Sequence, residues 1–269
     1  MKKQLCKILL LICAITLVSC SDDDANSNNS AIKLVKKITY SVYMGGNVPE
    51  YTNESVYHYE NNILKSIVES SPGQANTFRS EFLYSGNKIA KVLFFENDET
   101  QAYAQTNFAY EGNLLKTTNY SLRHEKIEFF YQNGIISSKD VYVPYLNETE
   151  PEYLATHYEY AFSGLNVVSE KRQEAYGGQE YRFENRNIFD NKNNPMKHMN
   201  SYYRLTYNSD AFQAFSQNNY LSSNSYNFGN ITGEYVFEID YDSENYPTRI
   251  SRYFKESHAL VSQTDFEYQ

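Results

Sequence analysis

The sequence predicts an all-β, antiparallel fold. It is a meander of repeated hairpins with roughly a dozen strands, curled or closed into a barrel, with one short helical insertion near residues 209–216. Three observations predict it. A pattern of aromatic, turn and aliphatic residues recurs along the chain. Each copy alternates apolar and polar residues with the period of a strand. Of the 269 residues, 27 are tyrosine and none is tryptophan, a composition that suits pleated, half-buried surfaces.

The first copy is Tyr57-His58-Tyr59-Glu60-Asn61-Asn62-Ile63-Leu64-Lys65-Ser66-Ile67. With Tyr59 as anchor, Tyr57 stands at −2, Asn62 at +3, Leu64 at +5 and Ile67 at +8. Tyr84 anchors the next, with Phe82, Asn87, Ile89 and Val92. Tyr110 follows with Phe108, Asn113, Leu115 and Thr118, then Tyr131 with Phe129, Gly134, Ile136 and Lys139. A fifth copy reads as Tyr160 with Tyr158, Leu165 and Val168. Phe189 starts a looser one, and Tyr241, after Ile239, anchors the last. Positions −2 and 0 share parity, so both point to one face of a strand. The residues between them are mostly polar, as in a sheet with one wet face. Gly and Asn follow each anchor and tolerate the positive φ of a tight hairpin. Positions +5 and +8 have opposite parity, so a bulge or late strand entry is needed to bury both.

Residues 1–19 read as a signal peptide. Lys2, Lys3 and Lys7 precede an apolar run from Ile8 to Val18 that is too short to span a bilayer. The run ends Leu17-Val18-Ser19-Cys20, which looks like a lipobox. The resemblance implies cleavage before Cys20 and its acylation. Ser21-Asp22-Asp23-Asp24 resembles the surface-export signal of Bacteroidota lipoproteins. The expected location is therefore the outer membrane, on the cell surface, with its periplasmic face as the alternative. Residues 20–31 are an Asn/Ser-rich tether, and 32–269 form a single repeat-built domain. All three cysteines lie in the signal region, at Cys6, Cys13 and Cys20. The domain is thus held by its core, without disulfides or thiolate metal sites.

Removing Lys2, Lys3 and Lys7 takes the net charge from −9 to −12. An acidic chain argues against nucleic acid as a partner. Attachment to membrane then comes through the acyl chains. Pro144 through Pro151 reads as an exposed acidic loop. Ser209 or Asp210 would cap a one- or two-turn helix carrying Phe212 and Phe215. Strands resume at Gly233. A membrane-spanning barrel is disfavoured, because charged residues such as Lys91 and Glu128 interrupt the strands.

The anchored spacing resembles the YD/RHS-type hairpin repeat, although the Tyr-Asp dipeptide itself occurs only at Tyr241-Asp242. Three segments taken in order are Asp190-Asn191-Lys192-Asn193-Asn194-Pro195, Phe215-Ser216-Gln217-Asn218-Asn219 and Tyr241-Asp242-Ser243-Glu244-Asn245-Tyr246-Pro247. Together they are similar to Bacteroidota lipoproteins of unknown function, some with a porin-like β-barrel fold. The resemblance covers residues 34–269 and implies no catalytic residue.

No catalytic or metal motif is legible. The five histidines lack metal-ligand spacing, and His58 and His157 fall on the polar face. Asp240, Asp242 and Glu244 lack the spacing and central glycine of a calcium loop. No cofactor is implied. Tyr202, Tyr203, Tyr207, Tyr220 and Tyr226 lie off the repeat register and are candidate ligand contacts, since tyrosine offers a rigid face and a polar tip. The function predicted is a non-enzymatic binding or structural module for a glycan, protein or small ligand. The alternative is a hydrolase using a carboxylate pair, which only distance in space can reveal.

Overall fold

The computed structural model describes residues 32–144, 153–176, 179–206 and 214–269. The signal peptide, the lipobox with Cys20, the acidic residues Ser21, Asp22, Asp23 and Asp24, and the tether lie outside them. So do Tyr207 and residues 209–213.

The described residues form β1 (Val35–Val42), β2 (Tyr51–Glu60), β3 (Ile63–Ser70), β4 (Thr77–Ser85), β5 (Lys88–Glu96) and β6 (Ala104–Glu111). Then come β7 (Leu114–Tyr120), β8 (Glu125–Gln132), β9 (Ile135–Val143), β10 (Tyr153–Ser163), β11 (Asn166–Tyr176) and β12 (Gln179–Phe189). After a helix, α1 (Ser201–Thr206), the chain completes β13 (Tyr220–Asn227), β14 (Asn230–Tyr241), β15 (Pro247–Phe254) and β16 (Leu260–Tyr268). Each strand runs antiparallel to its sequence neighbours, and β1 pairs with β16 to close the barrel. Sixteen strands exceed the dozen expected. The surplus comes from stretches such as Tyr220–Asn227, whose Ser and Asn residues hide the alternation because the face they turn inward is wet.

Closure removes every free edge. The turns after β2, β4, β6, β8 and β10 share one end of the barrel, the tight-turn end. The other, the loop end, carries the longer connections 43–50, 71–76 and 97–103 and also the two-residue turn Phe228-Gly229. At the first hairpin Asn61 and Asn62 both have positive φ, the requirement of a type I′ turn.

The parity conflict between +5 and +8 is resolved by a bulge in each hairpin. The register slips so that Lys65, Ala90, Lys116 and Ser137 are left opposite no partner. One extra residue restores parity. Leu64 and Ile67 are both buried, as are Ile89 and Val92, Leu115 and Thr118, and Ile136 and Lys139. In the fifth hairpin the slip falls between Ala161 and Phe162. The anchor is therefore Phe162, not Tyr160. Tyr160 takes the buried −2 place and Val167 the +5 place, while Leu165 is 57% exposed in the turn. Gly164, two residues after Phe162 as Gly86 is after Tyr84, marks the correct register.

The bulges explain the anchor tyrosines. Tyr84 donates its hydroxyl to the Leu64 carbonyl at 2.8 Å, Tyr110 to Ile89 at 2.7 Å and Tyr131 to Leu115 at 2.9 Å. Each acceptor is the +5 residue of the preceding copy, beside its bulge. Tyr268 does the same to Pro247 at 2.7 Å, and Asn187 takes the Val167 carbonyl at 3.2 Å. Tyr59, in the first copy, has a buried hydroxyl with no partner among the described residues. Burial pushes the Tyr84 and Tyr131 hydroxyls up to about 12.

The helix lies at Ser201–Thr206, ahead of the predicted 209–216; Ala214, Phe215 and Ser216 belong to turns. Asn200 caps α1, its side-chain oxygen accepting from the Tyr202 and Tyr203 backbone N–H groups at 3.0 and 3.3 Å. The Asn-rich run before it conceals this start.

Candidate functional site

The β12–β13 connection is long and lies at the tight-turn end, where its described residues fold into the barrel as a plug. Met196, Met199 and Ala214 are buried against Phe82, Ile89, Val92 and Phe237. Tyr203 meets Phe82 edge-on at 5.4 Å, and Tyr202 meets Tyr110 at 4.8 Å. The Tyr202 hydroxyl reaches the Asn113 carbonyl, and the Asn200 amide reaches that of Asn87. The plug is thus pinned to the turns of two hairpins.

A polar network locks it. Asp190 accepts from the backbone N–H groups of Lys192 and Asn219 at 3.0 Å each, and from the hydroxyl of Tyr241. Asn193 donates its N–H to the Asn245 carbonyl, and Asn194 donates to that of Gln217. Ser216 accepts from the buried Val167 N–H, and Asn166 from Gln217 and Asn218. Arg204 binds the carbonyls of Ala214, Lys197 and Ser216; its burial pulls the guanidinium down to about 10. The three segments that are distant in sequence, around Asp190, Asn218 and Tyr241, thus meet in space. Asp242 completes the group. It pairs with Lys33 at 2.5 Å and caps its own turn, accepting from Glu244 and Tyr246 N–H. Asp242 and Glu244, through Lys33 and the backbone N–H groups of the turn, therefore serve the turn.

Above the plug lies a lumen of about 670 Å³. Phe215, Tyr160, Tyr220, Phe237 and Ile38 form its floor. Its walls carry Lys139, Tyr158, Glu170, Arg172, Asn185 and Asn187 on one side. Asn53, Ser55, Glu69, Ser223, Ser225, Arg252 and Thr264 complete them. Lys139 is 8% exposed, with its ammonium 4.4 Å from the centre of the Tyr158 ring. Burial lowers its pKa, while Glu170 and Glu125 pull the other way. Arg172 lies 3.1 Å from Glu174 and 4.5 Å from the Phe183 ring. Burial raises the Glu69 carboxyl above its ordinary range. Glu69 and Glu170 stand on β3 and β11, eight places apart in a ring of sixteen, so the ring order does not make them the neighbouring pair that carboxylate hydrolysis requires.

The outer wall is different in kind. Residues adjacent to the lumen positions point outward. They form ion pairs around the ring: Lys37 with Glu54, Arg79 with Glu81, Lys126 with Glu128, Arg186 with Glu184 and Arg249 with Asp265. His157 binds Asp140 at 2.5 Å on the same wall, and Lys91 donates to Gln105. A lipid-facing barrel wall is apolar, and each midplane Lys or Arg there costs roughly 2–4 kcal/mol.

The candidate tyrosines therefore separate. Tyr202 and Tyr203 hold the plug. Tyr220 is buried in the lumen floor, 5.0 Å from Phe189 and 5.6 Å from Phe237. Tyr226 is paired with Glu184 and faces outward under Arg186. It borders a second hollow of about 490 Å³ with Lys171 and Glu184. Tyr207 lies outside the described residues. Lys139, Glu170, Arg172, Asn185 and Asn187 escaped the sequence reading. One signal was available: Lys139 occupies a +8 position whose earlier occupants are Ile67, Val92 and Thr118.

No family model and no curated protein matches the chain. Solved structures do. A porin-like protein from Bacteroides uniformis aligns with a TM-score of 0.56 at 8% identity, over 87% of this chain and 98% of that one. A porin-like protein from Bacteroides vulgatus aligns with a TM-score of 0.53 at 12% identity, over 88% of this chain and 99% of that one. At these identities the likeness is one of fold: a porin-like closed β-barrel.

Proposed function

We propose that this chain is a non-enzymatic binding barrel of the outer membrane, held there by a lipid on Cys20 while the barrel stands in water. The lumen carries the reading. It is a polar chamber blind at the turn end, where a hydrogen-bonded plug rather than a few stray side chains fills the barrel. A pore would need a continuous channel, and a structural spacer would need no chamber. The fold likeness to porin-like proteins and the lipobox at Cys20 support the membrane location. The ion-paired outer wall supports a barrel beside the bilayer rather than through it.

Leu34 exchanges backbone hydrogen bonds with Gln269, and Lys33 pairs with Asp242 and Glu244, so the described chain enters the barrel at its plugged end, and ligand enters from the loop end. Ser21, Asp22, Asp23 and Asp24 direct the protein to the cell surface in this reading.

The test is thermal unfolding of the full-length protein in detergent against sugars, peptides and small acids. A lumen ligand at 100 times its dissociation constant adds about 2.7 kcal/mol, which raises the midpoint by roughly 5–10 °C in a barrel of this size. No shift with any class, together with ion conductance in a planar bilayer, would sink the reading. Cys20→Ala is expected to abolish incorporation of an alkyne fatty acid, and protease treatment of intact cells separates surface from periplasmic display.

A further inference from the structure

We infer that the lumen takes a hydroxylated carboxylate of the acidic-sugar class, with Lys139 receiving the carboxylate. This rests on the lumen being a ligand chamber. The repeat supplies its own control. The inward +8 position holds Ile67, Val92 and Thr118 in three successive hairpins, all buried. The fourth hairpin places Lys139 there, and the fifth, in the register fixed by its bulge, places Glu170. What the fold needs at +8 is therefore a small or aliphatic side chain, and Lys139 departs from it at a cost. A buried ammonium is expensive unless it is paired. Among the described residues no carboxylate comes within ion-pair distance of Lys139; its partner is the face of Tyr158 at 4.4 Å. Glu170 and Glu125 attract it only from farther away.

The rest of the chamber specifies the remainder of the ligand. The side-chain oxygens of Asn187 and Thr264 are buried, line the same lumen and have no hydrogen-bond partner among the described residues. The Asn187 amide oxygen only accepts, so it calls for a donor, and a hydroxyl supplies one. A fatty acid offers a carboxylate without hydroxyls. Arg252 lines the same lumen with a buried Nε–H that has no acceptor among the described residues, a donor that a carboxylate or hydroxyl oxygen satisfies. A carboxylate with hydroxyls around it fits both demands.

Calorimetric titration of the full-length protein in detergent, with digalacturonate, lactose and acetate, tests this. Digalacturonate is expected to bind at least tenfold more tightly than lactose, and acetate to bind weakly. Lys139→Met is expected to weaken digalacturonate tenfold or more, to leave lactose unchanged, and to melt at the same or a higher temperature than the wild type without ligand. That last readout separates a ligand-binding lysine from a structural one. Equal binding of the two disaccharides, or an unaffected Lys139→Met, would overturn the inference while leaving the chamber standing. Binding of neither sugar would overturn it too, and the broader ligand screen then decides the chamber separately. Should Lys139→Met fail to fold, Lys139→Gln is the second variant; failure of both would make the residue structural and end the proposal.

Discussion

The barrel has two walls built from one repeat. On β4 to β8 the inward positions are filled with Phe82, Val92, Phe94, Phe108, Ile127 and Phe129, and the plug packs against several of them. On β9 to β12 the same pleat turns in Lys139, Glu170, Arg172, Asn185 and Asn187. Bulge, turn and strand pairing are shared by β8–β9 and the hairpins before it. The backbone therefore does not decide whether a wall is dry or wet; the identity of a few inward side chains does. Stability and binding can be assigned to different arcs of a single ring.

Alkaline pH should break the dry arc most completely. Burial holds the Tyr84 and Tyr131 hydroxyls at about 12, above their ordinary value of 10. A group with a raised folded pKa contributes fully below its unfolded pKa and loses that contribution as the pH climbs through the folded one. The unfolding midpoint should hold to about pH 10 and fall steeply toward 12, with tyrosinate absorbance rising at the transition. Early, gradual tyrosine ionisation in the folded protein would contradict the burial of the ladder.

Truncation sharpens the contrast. Phe129→Ala removes a side chain that is 1% exposed on the dry wall and should cost about 3–5 kcal/mol. Asn185→Ala on the wet wall removes only the acceptor for the Ser225 hydroxyl and should cost about 1 kcal/mol. Equal losses in urea unfolding would show that the lumen is packed rather than solvated. The plug comes next. Asp190→Ala removes the acceptor for two backbone N–H groups and the Tyr241 hydroxyl, and should cost about 2–3 kcal/mol. Limited proteolysis should then cut first between Asp190 and Asn219.

The ladder gives the smallest and cleanest test. Tyr84→Phe leaves the Leu64 carbonyl without its donor and should cost about 1 kcal/mol. Tyr59→Phe deletes a hydroxyl that has no partner among the described residues and should be neutral or slightly stabilising. A double-mutant comparison in chemical denaturation resolves the two, and equal losses would mean the ladder bonds carry little net energy.

Much of this architecture was legible because one rule is repeated. Anchor, turn, +5 and +8 in the copies at Tyr59, Tyr84, Tyr110 and Tyr131 predicted both the hairpins and the bulges. The fifth copy was misread because Tyr158, Tyr160 and Phe162 alternate equally well, and tyrosine was preferred over the turn glycine that sets the register. The wet arc was hard to read because inward Ser, Asn, Glu and Arg look like a solvent face; only closure makes them a lumen. The plug was hidden for another reason. Asp190, Asn219 and Tyr241 stand at the ends of three adjacent strands and are joined by hydrogen bonds between segments far apart in sequence, and no local periodicity reports such contacts. Tyr202 and Tyr203, off the repeat register, stand on α1, where they meet Tyr110 and Phe82.

The tyrosine ladder has a historical corollary. The copies anchored at Tyr84, Tyr110 and Tyr131 each carry a donor for the copy before them, so a duplicated hairpin of this kind inserted among them arrives with both ends already compatible. A barrel of this design can lengthen its circumference by whole modules without inventing a new contact. Its starting point stays visible: Tyr59 carries the donor, follows no earlier copy of the repeat, and has no hydroxyl partner among the described residues. That hydroxyl marks the seam where the series of copies begins.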